Sequence, residues 1–287
     1  MSLPRLALQQ IVSLALAEDL GRGDVTTEAC VAIDALGSAT LRAREPAIFY
    51  GAEVVREVYT QIDPRVVVSL ACEDGTRLEV GASALSLRGP ARALLTGERV
   101  ALNFCQRLSG VATLTRAYVD ALPMGGAGSK TRIVDTRKTT PGMRLLERQA
   151  VRAGGGHNHR EDLSSAVLIK DNHIAAAGGV GAAIDRARAH APHTSRITCE
   201  VDTLEQLQVA LAHRADCVLL DNFDDAAVET ALKLIDGRAI CEVSGGVTLA
   251  RIPRLARLGV DVISVGALTH SARAIDLGLD WNATAAS

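Results

Sequence analysis

Three short clusters hold most of the residues that could do chemistry: "TRKTTPGMR" (136–144), "AVRAGGGHNHR" (150–160) and "LIKDNHI" (168–174). Between Lys130 and Lys170 there are nine Lys or Arg against four Asp or Glu, in a chain whose formal net charge is −2. Such a local positive field suits a confined anionic ligand rather than a generally sticky surface. The choice of base is informative. Of 31 basic residues only Lys130, Lys138, Lys170 and Lys233 are lysine, and two of these lie in the clusters. An ammonium is a compact point charge suited to phosphate, and a guanidinium fork suits a planar carboxylate. Arg137 and Lys138 stand side by side, so the expected ligands carry both groups.

Each candidate can be weighed singly. Arg137 and Lys138 follow an apolar run and precede Thr139-Thr140-Pro141-Gly142, a constrained turn with Pro at a helix start. Gly154, Gly155 and Gly156 cost backbone entropy, and close approach of the backbone to a ligand is one reason to bear it. His159 beside Arg160 could grip a carboxylate, whereas His157 reads as structural. Lys170 ends an apolar run, where an unpaired charge is expensive; Asp171 is its partner or a helix cap. Glu200 and Asp221 also end apolar runs. Such carboxylates could bind Mg²⁺, accept ribose hydroxyls or stabilise an oxocarbenium-like centre. His270 reads as packing or as a support behind a ligand-contacting residue, and Arg107 as a surface arginine.

The elements that must position these groups follow from periodicity. Residues 6–19 predict an amphipathic helix with Leu6, Leu14 and Leu20 on its face; Gln9 and Gln10 interrupt any signal-peptide core. Strands are expected near 37–44, 65–72 and 83–88, a helix near 51–60, and a long helix over 96–121 capped by Thr96. From residue 131 six apolar runs alternate with helices: 132–136, 166–170, 197–201, 217–221, 239–243 and 261–265. The helices are expected near 141–153, 179–190, 203–213, 224–235 and 248–258, with a short one from 267. That rhythm implies a parallel sheet buried on both faces. No Gly-x-Gly-x-x-Gly follows the first run, which disfavours a dinucleotide fold. All six runs end in functional-looking groups, the last two at Ser244-Gly245-Gly246 and Gly266. This matches the rim of an incomplete β/α barrel, whose last two loops commonly hold phosphate.

Composition sets bounds. A pI near 6.4 gives no reason to expect nucleic acid, and 2% aromatic residues supply no stacking platform for single strands. Six scattered cysteines show neither C-x-x-C nor zinc spacing; Cys199 and Cys241 read as buried thiols of a reducing, cytoplasmic compartment. No apolar stretch approaches a membrane span.

Together with "LAEDLGRGDVTT" (16–27), "NFCQRLSGVAT" (103–113), "LLDN", "EVSGGV" and "GVDVISVGALTHSARAIDLGLD", the clusters resemble the quinolinate phosphoribosyltransferase family over nearly the whole chain. Two small departures, Gln149 and Ala153, touch no expected role. The resemblance implies an α/β protein with an N-terminal α/β sandwich domain (1–115), an incomplete β/α barrel (116–272), and a tail (273–287) packing back on the first domain. It implies phosphoribosyl transfer from phosphoribosyl pyrophosphate to quinolinate with decarboxylation, in the presence of Mg²⁺. The alternative is a relative acting on nicotinate or another small acid. Lys138, Lys170, Glu200 and Asp221 would be catalytic, and the two carboxylates would also serve the metal, directly or through water or substrate. Arg137, His159, Arg160 and Arg107 would surround the dicarboxylate. Ser244, Gly246 and Gly266 would cradle the 5′-phosphate, and Thr136, Gly245, Val265, Ala267 and His270 complete the substrate-binding set. The implied assembly is a homodimer, or a higher oligomer built from it, with Arg107 supplied by the other subunit.

Overall fold

The computed structural model describes residues 3–126 and 128–282. In chain order the helices are α1 (Arg5–Leu20), α2 (Val25–Cys30), α3 (Ala52–Ile62), α4 (Ala91–Asp120), α5 (Arg144–Ala153), α6 (Asp171–Ala177), α7 (Val180–His190), α8 (Leu204–Ala212), α9 (Asp225–Ile235), α10 (Ile252–Leu258) and α11 (Ala267–His270). The strands are β1 (Leu36–Ala43), β2 (Ala47–Ile48), β3 (Val67–Leu70), β4 (Arg77–Leu78), β5 (Ser83–Pro90), β6 (Arg132–Val134), β7 (Val167–Ile169), β8 (Ile197–Val201), β9 (Cys217–Asp221), β10 (Ile240–Ser244), β11 (Val262–Ser264) and β12 (Leu277–Asn282). Among the described residues no helix is long and apolar enough to cross a membrane.

The chain divides into two compact units. The first takes Met1–Arg116, Thr139–Gly155 and His270–Ser287, so α5 and β12 belong with the N-terminal segment. Its sheet has the order β12-β1-β5-β3, with antiparallel pairings. Alternate residues of β1 are buried, as a half-covered strand requires. Phe49, Tyr59, Leu85, Leu87 and Leu94 fill the core beneath it. The tail contributes β12, whose residues 277–282 pair with 43–38. A close approach fixes the segment before it: a Cβ on Gly110 of α4 would lie 1.9 Å from the Arg273 carbonyl oxygen. Ile275 N–H donates to Gln106 O at 3.0 Å in the same place.

Local expectations needed correction in this unit. Helix α1 buries Leu8, Val12 and Leu16, spaced by four, while Leu6 and Leu14 stand exposed; the apolar stripe had been assigned to the wrong face. Helix α4 starts at Ala91, directly after Pro90, because buried Ala91, Ala93 and Leu94 carry the helix back to the strand. Thr96 is therefore internal, and its hydroxyl donates to Asp24 Oδ2 at 3.1 Å. Helix α5 starts at Arg144 rather than 141, since Gly142 adopts φ 76°, outside helical space. Pro141 lies in the turn.

The second unit takes Ala117–Lys138 and Gly156–Thr269. Its six parallel strands have the order β6-β11-β10-β9-β8-β7. The unit's first strand, β6, pairs with its last, β11, as in a barrel, and the ring is open only between β6 and β7. A doubly wound sheet has no such first-to-last pairing. The open edge of β6 is partly covered by His157, whose N–H donates to Ile133 O at 2.8 Å and whose carbonyl accepts from Asp135 N–H at 3.2 Å. Cys199, Val201, Val218, Leu220, Cys241, Val243 and Ile263 are buried on the face opposite the site. Burial pushes the Cys199 thiol up to about 11, so these cysteines are inert packing groups.

The tail of the first unit is held by charge. The two terminal nitrogens of Arg273 donate to the two oxygens of Glu45, and Asp276 N–H donates to Glu45 Oε1 at 2.8 Å. The Arg273 hydrogen bond and then the Asp276 N–H pull the Glu45 carboxyl down from 4.5 to about 2. A depressed carboxyl stabilises above its ordinary value and loses that contribution as pH falls toward its folded value. Glu45→Gln is therefore expected to lower Tm by about 2 °C at pH 7. The gap between variant and wild type should close between pH 4.5 and 2; a gap independent of pH in thermal melts would refute the linkage.

Candidate active site

Parallel strands deliver their carboxyl ends to one rim, and register decides which side chains share a face. Glu200 of β8 lies beside Leu219 of β9, which lies beside Glu242 of β10. Asp221 is two residues beyond Leu219, hence on the same face, and pairs with Ser244. Leu168 pairs with Thr198, so Lys170 shares the Glu200 face. On β11, Ser264 sits opposite Val134 of β6 and keeps the same parity as Glu242.

Gly154 and Gly155 lie in the first unit, where a Cβ on Gly154 would meet Ala112 O of α4 at 2.5 Å, so helix packing and not a ligand requires glycine there. At the β6 end of the second unit, a fully buried Asp135 organises the segment that follows them. Its Oδ2 accepts from Asn158 Nδ2 at 2.6 Å, and its Oδ1 accepts from His159 N–H at 2.7 Å. The His159 ring is fixed on both sides. Nδ1 accepts from Arg160 N–H at 2.7 Å, and Nε2 lies 3.3 Å from Glu242 Oε1. Arg160 follows, with Nη1 donating to Ala166 O at 3.2 Å. Its Nε is buried without a hydrogen-bond partner among the described residues. Burial, and then the charge of Arg137, lower the Arg160 pKa. Lys138 is exposed; its N–H donates to Thr136 Oγ1 at 3.2 Å, and its carbonyl accepts from Thr269 Oγ1 at 2.8 Å.

On the other side of the rim, Lys170 Nζ lies 3.0 Å from Glu200 Oε2. The partner of Lys170 is therefore Glu200 and not Asp171, which opens α6 with Lys170 at the cap position. This short helix went unread because it is only seven residues long. Asp221 Oδ2 accepts from Asn222 Nδ2 at 2.8 Å. Gly245 (φ 85°) and Gly246 (φ 57°) turn the chain after β10. A Cβ on Gly245 would lie 2.2 Å from Asn222 Oδ1, so only glycine fits there. Val265 N–H donates to Val134 O at 3.0 Å and leads through Gly266 into α11 with Ala267. The described residues contain no group of three or more His, Cys, Asp or Glu arranged for a metal. Glu200 and Asp221 lie on one face of adjacent strands.

The family description "Quinolinate phosphoribosyl transferase, N-terminal domain" matches residues 24–109, and its C-terminal counterpart matches 111–280. The chain belongs to the quinolinate phosphoribosyltransferase family. It is 42% identical, over 96% of its length and 93% of the relative, to a probable nicotinate-nucleotide pyrophosphorylase [carboxylating] of Bacillus subtilis. The corresponding Mycobacterium leprae protein is 43% identical, with 96% and 97% covered. A solved nicotinate-nucleotide pyrophosphorylase from Francisella tularensis superposes with a TM-score of 0.92 at 38% identity, covering 98% of each chain.

Two residues of the expected phosphoribosyltransferase site, Arg107 and His270, lie in the first unit. The His270 ring Nδ1 is 2.7 Å from Ser271 Oγ. Arg107 is less a surface arginine than the sequence suggested. Its Nε and Nη2 donate to Glu147 Oε1 at 3.2 and 2.8 Å, and Nη1 donates to Ala272 O at 2.5 Å. Glu147 is fully buried and also accepts from Thr140 N–H at 3.1 Å and Thr140 Oγ1 at 2.8 Å. Glu147, Asp135 and Glu242 were all missed. Asp135 and Glu242 lie inside apolar runs, a signal as strong as the charge at the end of a run that singled out Lys170, while Glu147 lies in a polar helical stretch that gave none. Breaking a buried pair leaves an uncompensated charge. Glu147→Ala should therefore cost about 3 kcal/mol in urea unfolding; an unmoved midpoint would show that the Arg107 pair carries no stability.

Proposed function

We propose that this chain transfers the phosphoribosyl group of phosphoribosyl pyrophosphate to quinolinate, releasing CO₂ and pyrophosphate and leaving nicotinate mononucleotide. The observation that carries this reading is the buried Nε of Arg160, without a hydrogen-bond partner among the described residues, in a chain of this family. A desolvated guanidinium favours a bound anion, and a carboxylate of the substrate supplies one.

Arg137, His159 and Arg160 orient the dicarboxylate so that its ring nitrogen faces the ribosyl carbon. Lys138 and Lys170 stabilise anionic charge around the reacting centre, where the pyrophosphate departs. Glu200 and Asp221 face the ribose, which becomes cationic as that bond breaks. The ring nitrogen then forms the new bond and carries positive charge. The 2-carboxylate leaves as CO₂, its electron pair is stabilised beside that nitrogen, and a proton replaces it. Ser244, Gly245 and Gly246, with Val265, Gly266 and Ala267, cradle the 5′-phosphate through backbone N–H groups, and Thr136 and His270 complete the binding set.

Magnesium fits the donor set. Mg²⁺ takes one or two carboxylates and fills its other positions with water and substrate phosphate, and two carboxylates without a larger ligand cage suit that habit. Glu200 and Asp221 would hold it, directly or through water, and it would neutralise the departing pyrophosphate. We also propose a cytoplasmic homodimer in which Arg107 completes the partner's site, or a higher oligomer built from that dimer.

Purified protein given quinolinate, phosphoribosyl pyrophosphate and Mg²⁺ should release CO₂, with nicotinate a poor substitute for quinolinate. Lys138→Ala and Lys170→Ala are each expected to lower kcat by about 10²-fold or more with unchanged melting, and chelation of Mg²⁺ should abolish turnover. Near-normal kcat in either variant removes that lysine from the mechanism. Subunit mixing tests the shared site. Arg107→Ala and Lys138→Ala proteins, each weak alone, should regain activity on exchange, because a mixed dimer holds one intact site. Verified exchange without recovery would place Arg107 outside the partner's site.

A further inference from the structure

Glu242 is a carboxylate inside the barrel that the proposed reaction leaves without a task. It is 3% exposed and lies in mid-strand on β10 between Leu219 and Val262. Its Oε1 receives the Ser264 hydroxyl and lies 3.3 Å from His159 Nε2, and its Oε2 accepts from Cys217 Sγ at 3.8 Å. A carboxylate that served only to fill space would be replaced by an apolar residue at no loss, since burying charge is expensive.

The geometry settles the His159 tautomer. Its Nδ1 accepts the Arg160 backbone N–H at 2.7 Å, so that nitrogen carries no proton. That leaves the proton to Nε2, which lies 3.3 Å from Glu242 Oε1. The ring therefore forms a relay of position: Glu242 holds Nε2–H, the ring holds Arg160 N–H, and Arg160 begins the side chain whose Nε is buried without a hydrogen-bond partner among the described residues. The backbone at this point is also fixed by His159 N–H on Asp135. Loss of the Glu242 acceptor would free the ring to rotate or to take the other tautomer, and an Nδ1–H would confront the Arg160 N–H donor.

We infer that Glu242 is a positioning residue that fixes the His159 tautomer and, through it, aims Arg160 at the dicarboxylate substrate. This rests on the proposed reaction for the identity of that substrate. It predicts a split in kinetics. Interactions made equally in ground and transition states change KM and leave kcat in place. Glu242→Leu should raise the quinolinate KM about tenfold, the equivalent of one hydrogen bond to a charged group. The KM for phosphoribosyl pyrophosphate and kcat should hold.

Three variants of the full-length enzyme test it. Glu242→Leu removes the acceptor, Glu242→Asp withdraws it by one methylene, and Glu242→Gln keeps an oxygen for Nε2–H. The tautomer is read from long-range proton–nitrogen NMR of histidine-labelled protein, without substrate. The wild type and Glu242→Gln should show His159 protonated at Nε2 and share a low quinolinate KM. The Leu and Asp variants should lose that tautomer and raise KM together. Should the Leu variant fail to fold, the Asp variant carries the test. An unchanged tautomer, an unchanged quinolinate KM, or a loss of melting temperature alone would overturn the inference. A wild-type enzyme that releases no CO₂ sinks the proposed function itself; turnover with KM unmoved in the variants sinks only the role of Glu242.

Discussion

The pairing of β6 with β11 organises the second unit. It joins the first barrel strand in the chain to the last, through the register Val262–Arg132, Ile263–Ile133 and Ser264–Val134. Without it the sheet would end at β11, and Thr136-Arg137-Lys138 would have no fixed place beside Val265-Gly266-Ala267. With it, all six strands open onto one rim, and parity puts Lys170, Glu200, Asp221 and Ser244 on one face. On the open side between β6 and β7, His157 extends the free edge of β6.

Positive charge is the second constraint. A site for several anionic groups must hold bases together before the ligand arrives, at a cost in mutual repulsion. Within each unit, acids pair with polar groups of this kind. Glu147 grips Arg107 in the first unit, Asp135 fixes the His159 backbone, and Glu242 fixes the His159 ring. Lys170 leans on Glu200. Arg160 has no such acid hydrogen-bonded to its Nε, and burial beside Arg137 lowers its pKa. Its buried Nε is the position proposed above for a ligand carboxylate.

Much of this was legible in the chain itself. Six apolar runs alternating with helical segments announced a parallel barrel because a strand buried on both faces has to be apolar throughout. Lys170, Glu200 and Asp221 stood out because a charge ending such a run needs a reason. Local punctuation was less reliable. The start of α4 at Ala91 and the buried face of α1 were misread, since tertiary burial overrides a threonine cap or a leucine stripe.

Residue types and spacing alone determined the barrel rhythm and the concentration of bases, and the resemblance of the motifs implied the family, because these are properties of short stretches. Pairings between distant stretches belonged to the tertiary structure. It gave Lys170 to Glu200, thirty residues away, instead of the adjacent Asp171. It placed α5 with the first unit although its sequence lies between two barrel strands. It also turned Glu242 inward onto His159, since the side on which a strand residue faces follows from register and not from its neighbours in the chain.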